Sequence, residues 1–125
     1  MPVASSEGAR PAVTALATDV VCVIVFVTIG RRSHAEGLTV SGIAETAWPF
    51  LVGTAAGWLV SRGWQRPAAL VPTGVAVWLC TVVAGMLLRH LTSAGTAPSF
   101  IVVASLSTAL LILGWRAGVR LLVRG

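Results

Sequence analysis

Asp19 is the only acid inside the apolar run from about Ala12 to Gly30, and a carboxylate in that setting has few roles open to it. About two turns into a membrane span it costs roughly 2.5 to 3.5 kcal/mol to insert unless it is paired, protonated or hydrated. Two kinds of chemistry answer that cost. Either the carboxylate lines a hydrated path and carries a proton or cation, or it is half of a buried ion pair that fixes the packing of the first helix. The cations at matching depth are Arg116, Arg66 and Arg62.

A second polar group lies near the other ends of the apolar runs. Arg31, Arg32, His34 and Glu36 follow the first run, Glu45 begins the second, and Arg89 with His90 ends the third. An acid near a helix N-terminus and a base near a helix C-terminus are each favoured by the helix dipole. Glu45 and Arg89 are therefore expected to pair if their helices are neighbours; the competing outcome is Arg89 reaching lipid phosphate while Glu45 faces water. His34 beside Glu36 is too sparse for a metal site, which needs three or four convergent ligands. The chain has no Ser-His-Asp arrangement, no phosphate-cradling glycine loop and no paired catalytic carboxylates, so no enzyme and no cofactor is expected. Cys22 and Cys80 both lie in apolar runs, outside any CxxC pair, and read as packed, reduced thiols.

The elements that position these groups follow from composition. Of 125 residues 56% are hydrophobic and 10% charged, and the mean hydropathy is +0.90. A soluble domain carries roughly a quarter of its residues as charges, so an integral membrane protein is expected. Its nine cations are all arginine, placed singly or in pairs at the ends of apolar runs, which is the pattern of membrane anchors and not of a nucleic-acid patch. Crossing about 30 Å of hydrocarbon at about 1.5 Å per residue takes about 20 residues.

Four stretches qualify, at about 12–30, 43–60, 67–88 and 98–115. The expected fold is all-α: a polytopic membrane protein of four transmembrane helices in one compact bundle over residues 12–125, after a short disordered leader at 1–11. Open sheet edges cannot exist in lipid, which argues against strands. Pro67 and Pro98 suit first helical turns, Thr39 or Ser41 suits the N-cap of the second helix, and Pro49 and Pro72 are expected to bend their helices. A cleaved signal peptide ending near Ala35 is disfavoured by Asp19 within the run and by Arg31 and Arg32 behind it.

Small residues carry the assembly signal, because lipid removes the hydrophobic drive between helices and leaves close packing to hold them. Gly53 and Gly57 form one GxxxG, and Gly114 with Gly118 repeats the spacing. Packing within the chain and homo-oligomerisation are both compatible with these pairs. Six arginines fall on the side of the two termini and the second loop, against Arg31, Arg32 and Arg89 on the other, which places both termini in the cytoplasm. Trp48, Trp64 and Trp115 then sit near the interfaces, and Trp78 packs between helices.

The polar positions together resemble a known family. Asp19, Gly30-Arg31-Arg32-Ser33-His34-Ala35-Glu36-Gly37, Thr46-Ala47-Trp48-Pro49-Phe50, Gly57-Trp58, Arg66-Pro67, Pro72-Thr73-Gly74, Trp78, Arg89, Ser99-Phe100-Ile101-Val102 and Gly114-Trp115-Arg116 are similar to the bacterial, largely actinobacterial, membrane family numbered 3054 among the domains of unknown function. The resemblance implies four spans in a bacterial plasma membrane, and it implies no activity.

Two functions of different class remain. One is a small oligomeric transporter or channel in which Asp19 and arginines at the helix ends line a path for a small solute or ion. The other is a non-transporting module that packs against another membrane protein or organises lipid, with Asp19 locked in an ion pair. Arg116, Arg120 and Arg124 recur every four residues, a spacing suited to touching anionic headgroups from a helical tail. A hydrated Asp19 favours the first reading, and an enclosed, arginine-bonded Asp19 the second.

Overall fold

The computed structural model describes residues 2–33, 38–92 and 98–124, with side chains for 10–31, 38–92 and 98–122. Helix α1 spans Pro2–Ser33 and α2 spans Val40–Ser61. A π turn at Leu70–Gly74 leads into α3 (Val75–Leu91); α4 (Pro98–Thr108) continues through a second π turn, Ala109–Leu113, into α5 (Gly114–Arg124). The described residues thus form four helical rods and no strand.

Three of the rods, Arg10–Arg31, Leu70–Leu91 and Pro98–Leu122, are long and apolar enough to cross a membrane. The second is not among them, although α2 has 22 residues. Its sequence carries Ser41, Gly42, Glu45, Thr46, Gly53, Thr54 and Gly57, which lower its hydropathy. Of these, Gly53, Thr54 and Gly57 bring it against α3, while Gly42 and Thr46 meet Arg31 of α1. Gly53 and Gly57 abut the α3 backbone: a Cβ at Gly53 would lie 2.7 Å from Thr81 Cα, and one at Gly57 would lie 2.5 Å from Val77 Cα. The hydroxyls of Thr54 and Thr81 meet at 2.8 Å in the same buried seam. This GxxxG therefore serves packing within the chain. Gly114 and Gly118 have open space where a Cβ would stand and contribute nothing to the fold of one copy.

Helix ends depart from the sequence reading in three places. The leader expected to be disordered is helical, with α1 beginning at Pro2; once a helix is nucleated each added residue gains one hydrogen bond, and Pro11 removes only one of them. The third rod starts later than Pro67. Residues 67–69 form a turn, and Val71 is extended (φ −124°, ψ 128°) ahead of a cis bond to Pro72. Proline pushes the residue before it out of the α region, so the rod kinks at Val71, where a bend at Pro72 is expected. The fourth rod runs past the expected stop at Trp115 to Arg124. Thr39 caps α2 by accepting from Gly42 N–H at 3.0 Å.

The rods pack in a ring, α1 to α2 to α3 to α4 and back to α1. Two buried clusters divide the interior. Val23, Phe26, Val27, Ala47, Phe50 and Ala104 fill one end. Ala15, Cys22, Trp58, Val77 and Ile112 fill the other, and Asp19 lies beside them.

Candidate functional site

Asp19 and Arg116 are both fully enclosed, with no side-chain surface exposed. Arg116 donates from Nη1 to Oδ1 at 2.8 Å and from Nη2 to Oδ2 at 2.7 Å, a bidentate fork matched to the carboxylate. Two indoles complete the set. Trp58 Nε1 donates to Oδ2 at 2.9 Å, and Trp115 Nε1 donates to Oδ1 at 2.9 Å. Each carboxylate oxygen thus accepts two charge-directed bonds. α1 supplies the acid, α2 one indole, and α5 the other indole and the guanidinium.

The arginine is satisfied as thoroughly as the acid. Its Nε donates to Pro67 O at 3.0 Å and its Nη1 also reaches Ile112 O at 3.2 Å. The guanidinium lies 4.4 Å from the Trp115 ring centroid, a cation–π contact. Here the local backbone serves the site. A π turn displaces the helical ladder by one residue and leaves carbonyls for other donors, and side chains flank the Ala109–Leu113 turn in that way: Trp78 Nε1 donates to Ser105 O at 3.0 Å and Thr108 Oγ1 to Ala104 O at 2.6 Å. Among the described residues no buried side-chain nitrogen or oxygen lacks a partner.

Of the three arginines at matching depth, the structure joins Arg116 to Asp19. Arg66 and Arg62 are exposed instead. The carbonyl of Arg66 accepts from Thr73 Oγ1 at 2.7 Å. Arg62 takes the left-handed C-cap position of α2 (φ 53°, ψ 51°), putting a cation at the negative end of that helix. Arg116, read as the start of an arginine stripe along the tail, points into the bundle while Arg120 is exposed, and the Arg124 side chain lies outside the described residues. Trp115, expected near the inner interface, is half-buried and bonded to Asp19. Trp78 does pack between helices.

The second polar group assembles differently from expectation. Arg31 Nη1 donates to Thr46 Oγ1 at 2.9 Å, tying the end of α1 to the first turns of α2. Arg89 lies 4.6 Å over the Phe100 ring. Glu45 is exposed and makes no ion pair with Arg89. The depth of the two agrees, since Phe50 meets Gly85 and Gly53 meets Thr81 along antiparallel helices. The facing does not: at about 100° per residue, Glu45 falls well over a quarter-turn from the stripe formed by Phe50, Gly53 and Gly57. His34 and Glu36 lie outside the described residues. Among the described residues no three His, Cys, Asp or Glu side chains converge as a metal site would require, and both cysteines are free.

Sequence reasoning singled out Asp19 and Arg116 but missed Trp58 as a ligand of the carboxylate. The usable signal was chemical: a fork-bound carboxylate keeps two acceptor positions, and buried indoles need acceptors.

Residues 16–119 match the family model described as protein of unknown function (DUF3054), and the chain belongs to that family. No curated protein and no solved structure matches it.

Proposed function

We propose that this member of the unknown-function family is a non-transporting four-span module of a bacterial plasma membrane, in which Asp19 and Arg116 form a fixed structural clamp. The observation that carries this reading is the enclosure of the carboxylate. A carrier acid must exchange its ligand with water or solute, whereas Asp19 has four donors within 2.9 Å and no accessible surface. A small oligomeric transporter or channel using Asp19 would have to break that set on every cycle.

Four spans follow if α2 crosses beside α3, its polar residues shielded by the seam that Gly53 and Gly57 create. With Arg116 withdrawn into the core, Arg10, Arg62, Arg66, Arg120 and Arg124 still outnumber Arg31, Arg32 and Arg89, which supports cytoplasmic termini. The lateral surface is broadly apolar, with Val52, Leu59, Leu106 and Leu110 among its exposed residues. Its proposed partners are the bilayer and other membrane helices, a second copy included. No catalysis is part of the proposal.

Reconstitution into liposomes tests it. Proton and monovalent-ion flux should match empty vesicles for wild type, and Asp19→Asn should leave that baseline unchanged while lowering the melting temperature. Flux above baseline that Asp19→Asn abolishes, in protein shown to remain folded, would restore the transport reading.

A further inference from the structure

At the Asp19 end of the bundle, α1 and α2 leave an open groove of about 390 Å³, walled by Val13, Leu16, Ala55, Trp58, Leu59 and Trp64. The walls are apolar and well exposed: Val13 is 64% accessible and Leu59 68%, and the Trp64 indole is 48% accessible at the mouth. Two arginines lie within a turn of its lining residues along the chain. Arg10 stands one turn before Val13 on α1, and Arg62 follows Leu59 at the C-cap of α2; both are exposed. Neither has a side-chain hydrogen bond or ion pair within the described residues. Among those residues this end presents no exposed carboxylate to neutralise them, because Asp19 is consumed by Arg116.

An apolar slot with a half-exposed indole and two exposed guanidiniums, unpaired among the described residues, at one end has the chemistry that suits a lipid with a negative headgroup. We infer that this groove holds one anionic phospholipid, an acyl chain lying along Leu16, Ala55 and Leu59 and the phosphodiester lying between Arg10 and Arg62. A zwitterionic lipid offers the same chain, but its own ammonium already balances its phosphate. The inner wall of the groove is Trp58, whose indole N–H holds Asp19. A chain seated there packs against a clamp residue and stiffens it, so the lipid acts as a ligand of the native state and raises stability by mass action. The inference rests on the membrane-spanning part of the reading above and not on the absence of transport.

Full-length protein in a neutral detergent, titrated with dioleoylphosphatidylglycerol or dioleoylphosphatidylcholine, decides the matter through native mass spectrometry and melting temperature. Phosphatidylglycerol should saturate at one retained lipid per chain and raise the melting temperature by a few degrees, with phosphatidylcholine weaker by on the order of tenfold or more, since each arginine near an anionic headgroup adds to the attraction. The Arg10→Gln, Arg62→Gln double variant should lose that preference. Ala55→Leu, which fills the exposed groove without touching the core, should lower retention of both lipids. Arg120→Gln, at the same end but away from the groove, should change neither.

Several results would overturn the inference: equal retention of the two lipids by wild type, a loss in Arg120→Gln equal to that in the double variant, or a melting shift reproduced by inorganic phosphate alone. Indifference to Ala55→Leu would do the same, as would loss of a dimer in that variant, which would make the groove a contact between copies. Retention of neither lipid would overturn it as well, while the membrane-spanning reading would fail separately if the protein stayed soluble and folded without detergent.

Discussion

At the Asp19 end, four donors from two rods converge on one carboxylate carried by a third, and neither the carboxylate nor the guanidinium has exposed surface. At the opposite end, Phe26, Phe50 and Phe100 meet ring to ring with centroids 5.3 to 6.3 Å apart, and Phe26 stands edge-on to Phe50. The first arrangement is directional and mutually dependent: removing one member strands a charge in a medium that cannot solvate it. The second is a sum of many weak contacts and degrades by degrees. The difference teaches where rigidity resides. Opening the Asp19 end breaks several strong bonds at once, whereas the phenylalanine end can repack.

The widest separation between the two ends should come from Asp19→Asn. It preserves shape but leaves Arg116 uncompensated, and a loss of about 3–5 kcal/mol is expected in detergent unfolding. A loss below that of a single phenylalanine substitution would erase the contrast. The α2–α3 seam, shared by both ends, comes next. Gly57→Val must push Val77 backbone aside and should cost about 1–3 kcal/mol, whereas Gly114→Ala, with open space around it, should stay within about 0.5 kcal/mol of wild type.

At the phenylalanine end, Phe26→Leu keeps the apolar contact and forfeits the ring pairs, a loss of about 0.5–1.5 kcal/mol beyond any change in area. A larger drop than that of Gly57→Val would show this end to be as specific as the other. The smallest effects belong to the periphery. Arg89→Gln should lose about 0.5–1 kcal/mol with its cation–π contact, Glu45→Gln should lose almost nothing, and the two should add; a coupling between them would restore the ion pair that the geometry lacks.

Much of this was legible in the sequence because it depends on local rules. Hydrophobic runs located the rods, Thr39 and Ser41 the two candidate caps and Pro98 a helix start, and Asp19 was conspicuous because an acid in an apolar run needs a partner. What escaped depends on which faces meet. Trp58 and Trp115 reach Asp19 across separations of 39 and 96 residues, and no local pattern distinguishes an interfacial indole from a carboxylate ligand. The kink at Pro72 falls on the preceding residue, Val71, close to the start of the rod, and its depth in the helix depends on where residues 67–69 stop being helical. Glu45 and Arg89 have the right depth and the wrong azimuth, a distinction that appears only once the α2–α3 seam is known. The composition of α2 also carries two meanings: Gly53, Thr54 and Gly57 lower its hydropathy and make its close packing on α3.

The central claim, that Asp19 and Arg116 are one closed structural unit, is tested most directly by a double-mutant cycle in detergent unfolding, with Asp19→Leu, Arg116→Met and the two combined. Each single variant should lose about 3–5 kcal/mol, and the double, which removes both charges and leaves apolar side chains of useful volume, should recover most of it. Losses that simply add, with the double variant the least stable of the three, would contradict the clamp and return Asp19 to the status of an acid in search of a function.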